Sequence, residues 1–232
     1  MWFSLIDDTR PPRDGFRPDD DGQGPTDPAK VPGTGILGMV VLLASLSFLF
    51  IASLVGFAII RLRQPVWPPE GMSSVPDLMW VSTALILVSS LTMQLCIHAA
   101  RSHNALVLRS GILATSLLAL AFLIMQVICW VEFLPAARGS KELYVFLFYF
   151  MTALHWAHVI GGVGPMAYLT HKAFIRSGPE LPNKGILYIG LYWHFLDVVW
   201  LILFAVIFLD VLQPLVPFYE RIQSSPIERQ GF

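Results

Sequence analysis

Two histidine-containing pairs are the residues best suited to chemistry in this chain. His155 and His158 stand three apart in "TALHWAHVIGG", and His194 and Asp197 stand three apart in "YWHFLDVVWLILF". At helical spacing, residues i and i+3 are neighbours on one surface, so each pair can act together. Three kinds of chemistry suit such pairs. They can hydrogen-bond between helices and lock a bundle. They can handle protons, or meet a lipid headgroup, beside a larger catalytic partner. They can also ligate a metal or a haem iron. The first is favoured, because polar groups inside membrane bundles usually pair with one another; residue types alone leave the other two open. Trp156, Trp193 and Trp200 crowd the room a haem needs, and His98, His103 and His171 fall near span ends, which leaves too few histidines for a diiron site.

Other chemistries have no footing. There is no Gly-rich phosphate loop, no Ser/His/Asp triad and no CxxC pair, and Cys96 and Cys129 sit in apolar segments without metal or redox spacing. No catalytic, cofactor-binding or metal-ligating residue is assigned to the chain. Gln126 is expected to make an interhelical bond and Glu132 to anchor at an interface. Ser89, Ser90, Thr92 and Gln94 are expected to bond their own backbone or a neighbour. Trp67 and Trp80 read as aromatics of the membrane belt.

The elements that must position these residues follow from composition. Of 232 residues 55% are hydrophobic and 13% charged, against about 25% charged in a soluble domain. That deficit points to an integral membrane protein. The net charge of −1 implies no attraction to nucleic acid. A bilayer crossing takes about 20 apolar residues, and five stretches qualify: 35–60, 78–100, 110–131, 143–170 and 185–209. The expected fold is an all-α, five-helix transmembrane bundle over residues 35–212. Short links make consecutive helices antiparallel neighbours. Residues 1–34 form a polar tail that cannot bury enough apolar surface to fold alone; it reads as a solvated leader or as a strap on a partner. Residues 213–232 form a short C-terminal tail. Lys and Arg are nine on the side of the N-terminus and six on the other, which predicts the N-terminus in the cytoplasm and the C-terminus in the periplasm.

Depth then relates the two pairs. His155 and Asp197 fall near the centres of antiparallel spans, and His158 and His194 each lie one turn toward the N-terminal side. The four are therefore expected to form one buried polar network at mid-depth. Gly161 and Gly162 permit a close helix approach, Pro165 is expected to kink its helix, and Trp193 and Trp200 share a packing face with Asp197.

These residues carry a resemblance. "YWHFLDVVWLILF" (Tyr192–Phe204) is similar to the Tyr-Trp-His-Phe-Val-Asp-Val-Val-Trp signature of subunit III of the haem-copper terminal oxidases. "TALHWAHVIGG" (Thr152–Gly162) resembles that family's Thr-Gly-x-His-x-x-His-Val-x-x-Gly. Weaker matches are "LGMVVLLASLSFLF", "SSLT" and "FLIMQ" on the earlier spans. Five spans resemble the five-helix branch of the family. The resemblance implies an accessory subunit without a redox cofactor. Such a subunit packs on the haem- and copper-bearing subunit I, beside subunit II and further respiratory subunits, in the bacterial inner membrane. It also implies bound phospholipid and support of proton uptake and of durability during turnover. His155, His158, His194 and Asp197 carry over as structural or proton-associated positions. Other features depart from the pattern. Leu46 follows Ser45 where the family has a buried Glu. Cys129 stands where the family often has a Glu. Ala153–Leu154 precede the first histidine in place of a Gly-containing step. A subunit III-like partner of nitric oxide reductase and a self-contained haem or metal membrane protein are the alternative readings.

Overall fold

A computed structural model describes residues 34–64, 66–67, 76–137, 143–175, 183–210 and 212–224. The expected N-terminal tail lies outside them, as do residues 225–232 of the C-terminal tail. Among the described residues the chain is helical throughout. It forms α1 (Thr34–Leu62), α2 (Leu78–Arg101), α3 (Ala105–Ala137), α4 (Leu143–Ile175), α5 (Asn183–Ile207) and, after a 3-10 turn at Gln213–Leu215, the short α6 (Val216–Ser224). Five of these helices are long and apolar enough to cross a membrane.

Local chemistry explains the boundary best defined in the structure. Between α2 and α3 the chain reverses at His103, which holds a positive φ of 55°. The Asn104 side chain then accepts the Val107 backbone N–H at 3.2 Å, satisfying one of the free donors at the start of α3. The α2–α3 hairpin that results is tightly packed. At Gly111 an added Cβ would lie 2.6 Å from the Cys96 sulfur, so any larger residue there would have to displace that thiol.

α3 runs well beyond the expected 110–131, and α4 beyond 143–170. Arg109 and Glu132 mark where a span leaves hydrocarbon, but a charge does not end a helix. At 1.5 Å per residue these 33-residue helices are about 50 Å long, so they extend past a hydrocarbon core of about 30 Å. Pro165 lies inside α4 without ending it.

Contacts close α2, α3, α4 and α5 into a ring, each against two neighbours. The core inside is aromatic and aliphatic, with Phe122, Phe133, Phe148, Met93, Met151, Trp193 and Trp200 all buried. α1 stands outside the ring and is mostly exposed along its length. It touches the ring through Phe50, which meets the His158 and Phe195 rings at 5.2 and 6.5 Å. At its C-terminal end Phe57 packs edge-on to Trp67, which in turn packs on Tyr144. That end is also tied by charge. Arg61, 2% exposed, grips Asp210 with both Nε (2.7 Å) and Nη2, and donates from Nη1 to the Gln64 carbonyl.

Candidate functional site: two polar seams in the bundle

The two expected pairs lie in different seams. On α5, His194 and Asp197 face α2. The His194 ring lies between two α2 side chains, with Nδ1 2.9 Å from Ser90 Oγ and Nε2 3.2 Å from Gln94 Oε1. A carbonyl oxygen only accepts, so Nε2 carries the hydrogen. In the neutral ring Nδ1 then accepts from the Ser90 hydroxyl. Asp197 Oδ2 is 3.6 Å from the same Nδ1, and the carboxylate makes no hydrogen bond among the described residues. The tryptophans on either side complete the seam. Trp193 Nε1 donates to Ser89 Oγ at 3.1 Å, and Trp200 Nε1 donates to Thr83 Oγ1 at 3.1 Å. Trp193 and His194, and Trp200 two turns further along α5, thus bond to α2 through side chains, which fixes the register of the two helices.

On α4, His155 and His158 face other neighbours. His155 is wholly buried among rings: Trp200 at 5.1 Å, Phe122 at 5.9 Å and Phe50 at 6.4 Å. His158 Nδ1 donates to the Leu154 carbonyl of its own helix at 2.6 Å, and its own carbonyl accepts the Tyr192 hydroxyl at 2.8 Å. No hydrogen bond joins either α4 histidine to His194 or Asp197 among the described residues. The reason is azimuth. Matching depth puts the four at comparable levels, but α5 turns its polar pair toward α2 and leaves Trp200 beside His155.

The packing residues sit as follows. A Cβ on Gly162 would lie 2.8 Å from Tyr192 Cε1 and 3.3 Å from Trp193 Cζ3, so α5 packs directly on the bare α4 backbone there. Gly161 is less tight, with Tyr192 Oη at 3.6 Å. Beside these glycines, α1, α4 and α5 enclose an apolar cleft of about 400 Å³. Leu42 and Leu46 of α1, His158 and Pro165 of α4, and Ile189 and Tyr192 of α5 line it. Leu46, standing where the resembled pattern has a carboxylate, is thus on the same cleft wall as His158. A second, shallower apolar cleft lies between α1 and the end of α5, next to Leu54 and Val206.

Sequence reasoning missed the Arg61–Asp210 pair. Its members are 149 residues apart, and nothing local marks either as a partner. Ser90 and Gln94, expected to bond their own backbone or a neighbour, take the second course; no spacing rule shows that the neighbour is a histidine on α5. Among the described residues no group of three or more His, Cys, Asp or Glu side chains comes together.

A multi-pass helical bundle, locked by tryptophan and histidine seams and carrying apolar clefts along an outlying first helix, is built like a packing subunit of a membrane complex. Comparison with known proteins makes this specific. Residues 26–210 match the family model described as cytochrome c oxidase subunit III. A cytochrome c oxidase subunit 3 of Alkalihalophilus pseudofirmus is 34% identical over 136 residues, covering 57% of this chain and 66% of that one. A cytochrome c oxidase subunit 3 of Synechocystis is 28% identical, covering 77% of this chain and 76% of that one. A protein of Aeropyrum pernix named heme-copper oxidase subunit I+III is 29% identical over 62% of this chain and 18% of that longer protein. The chain belongs to the cytochrome c oxidase subunit III family, the accessory subunits of respiratory oxidases, and is a multi-pass membrane protein.

Proposed function

We propose that this chain packs on the haem- and copper-bearing subunit I of a bacterial inner-membrane oxidase, as an accessory subunit with no redox group of its own. The family match over 26–210 carries this reading. The Aeropyrum pernix relative, whose name joins subunits I and III in one protein, supports subunit I as the immediate neighbour. The N-terminus lies in the cytoplasm and the C-terminus in the periplasm in this reading, which the excess of Lys and Arg on the N-terminal side supports. The apolar clefts beside α1 suit phospholipid acyl chains, which keep α1 seated where few protein side chains do.

In this reading the two polar seams have a structural task first. His194 bonds across to α2, and Asp197 beside it is an acid buried within a membrane span. An acid there is costly, about 2.5–3.5 kcal/mol on insertion scales, and that cost points to a task in the assembled complex. Asp197→Leu separates the two roles. The isolated variant should unfold at or above the wild-type temperature, since it loses a buried acid and keeps the His194 bonds. The complex containing it should assemble in lower yield and lose O2-reducing activity sooner under sustained turnover. Wild-type yield and durability would remove Asp197 from the function.

A further inference from the structure

Four buried polar atoms on α3 and α4 have no hydrogen-bond partner among the described residues. They are the Gln126 amide (Oε1 and Nε2) and the His155 imidazole (Nδ1 and Nε2), both on wholly buried side chains. The contacts on either side of them run along one α3–α4 seam. On α3, Phe122, Gln126 and Trp130 follow at i, i+4 and i+8 along one stripe. Trp130 Nε1 donates to Thr152 Oγ1 of α4 at 3.0 Å, and the Phe122 ring lies edge-on to His155 at 5.9 Å. Trp156 Nε1 closes the seam on the Leu123 carbonyl at 3.2 Å. Gln126 therefore lies between two formed α3–α4 contacts, opposite the turn of α4 that runs from Thr152 to His155. Trp200 of α5 covers the imidazole from the other side at 5.1 Å.

Protein interiors satisfy buried polar groups with protein atoms or with ordered water. The nearby hydroxyl is already committed, since Thr152 Oγ1 donates to the Phe148 carbonyl and accepts the Trp130 N–H. We propose that Gln126 and His155 form a binding site for an ordered water that bridges α3 and α4 inside the bundle. The chemistry of the pair matches that ligand. The amide presents one acceptor and a donor group, the neutral imidazole presents one donor and one acceptor, and water both donates and accepts. A cation does not match, because half of these atoms are donors. Its two polar members lie outside the α2–α5 seam, which meets the site only through Trp200, and the site stands independently of the oxidase assignment. It makes His155 the link between the water on α3 and the Trp200 face of α5.

Two measurements on the full chain, in lipid nanodiscs or in its complex, test this. A density map that resolves ordered water should show a peak within hydrogen-bond distance of a Gln126 amide atom and a His155 nitrogen. A direct Gln126–His155 bond with no peak between them overturns the site. X-ray hydroxyl-radical footprinting gives the second readout, because a buried water generates the radical in place. Phe122 should be labelled although it is as buried as Phe133 further along α3, and Phe133 should not. In the double variant Gln126→Met/His155→Phe, Phe122 labelling should fall to the Phe133 level. Labelling of Phe122 that is absent in the wild type, or unchanged in the double variant, contradicts the proposal.

Discussion

Asp210→Asn is expected to destabilise the chain by about 3 kcal/mol, the cost of leaving one member of a buried ion pair uncompensated. The two members of this pair are not equally exposed. The Arg61 side chain is 2% exposed, and that of Asp210 is 19% exposed. Removing the acid's charge leaves a guanidinium that cannot reach water with neutral groups around it among the described residues: the Asn amide oxygen, the Gln64 carbonyl and the face of Trp67, 5.5 Å away. Removing the cation by Arg61→Met leaves an acid that water can still reach, so that loss should be smaller, about 1–2 kcal/mol. Asparagine also tolerates the positive φ of 45° at position 210, so backbone strain does not confound the comparison. The double variant Arg61→Met/Asp210→Asn should recover most of the difference and unfold close to Arg61→Met. Denaturant titration of the chain in mixed micelles measures all three. Equal losses from the two single variants would show that exposure does not govern the pair. Because α1 has few other anchors to the ring, hydrogen exchange in the Asp210→Asn variant should rise in α1 and not in α2–α5.

Gly162→Leu is expected to be the most damaging change in the helical core. Its Cβ alone would fall 2.8 Å from Tyr192 and 3.3 Å from Trp193, both on rigid rings. The Tyr192 ring can yield only toward the cleft, which breaks its bond to the His158 carbonyl. The Trp193 ring cannot yield without giving up its bond to Ser89. Gly162→Ala should cost about 1–3 kcal/mol by overpacking, and the leucine more, with loss of assembled complex. Gly161→Ala is the control: its Cβ meets only Tyr192 Oη at an ordinary 3.6 Å. If Gly162→Leu assembles as the wild type does while Gly161→Ala is impaired, the assigned α4–α5 contact is incorrect.

The sequence made the five spans legible because hydropathy over a window of about 20 residues is a coarse, additive property. It did not make helix ends legible. Arg109 and Glu132 lie inside α3, because they mark membrane depth and not the end of backbone hydrogen bonding. The helix at Val216–Ser224 went unseen in what read as a short tail. Depth matching set His155 against Asp197 by level, but one-dimensional spacing carries no azimuth between helices. The side chains that decide it, Ser90 and Gln94 on α2 and Trp200 on α5, show their partners only in three dimensions. The family was legible for a different reason. "YWHFLDVVW" packs two indoles, an imidazole and an acid into three turns that must meet one partner helix, and few sequences meet that demand by chance.

The most direct test of the account is to purify the complex by a tag on this chain, and then to record the haem spectrum of the complex and of the chain expressed alone. The account predicts a haem- and copper-containing subunit I in stoichiometric yield with the tagged chain, and no Soret band from the chain alone. A stoichiometric Soret band from the isolated chain, or a stable purified complex without subunit I, would contradict it.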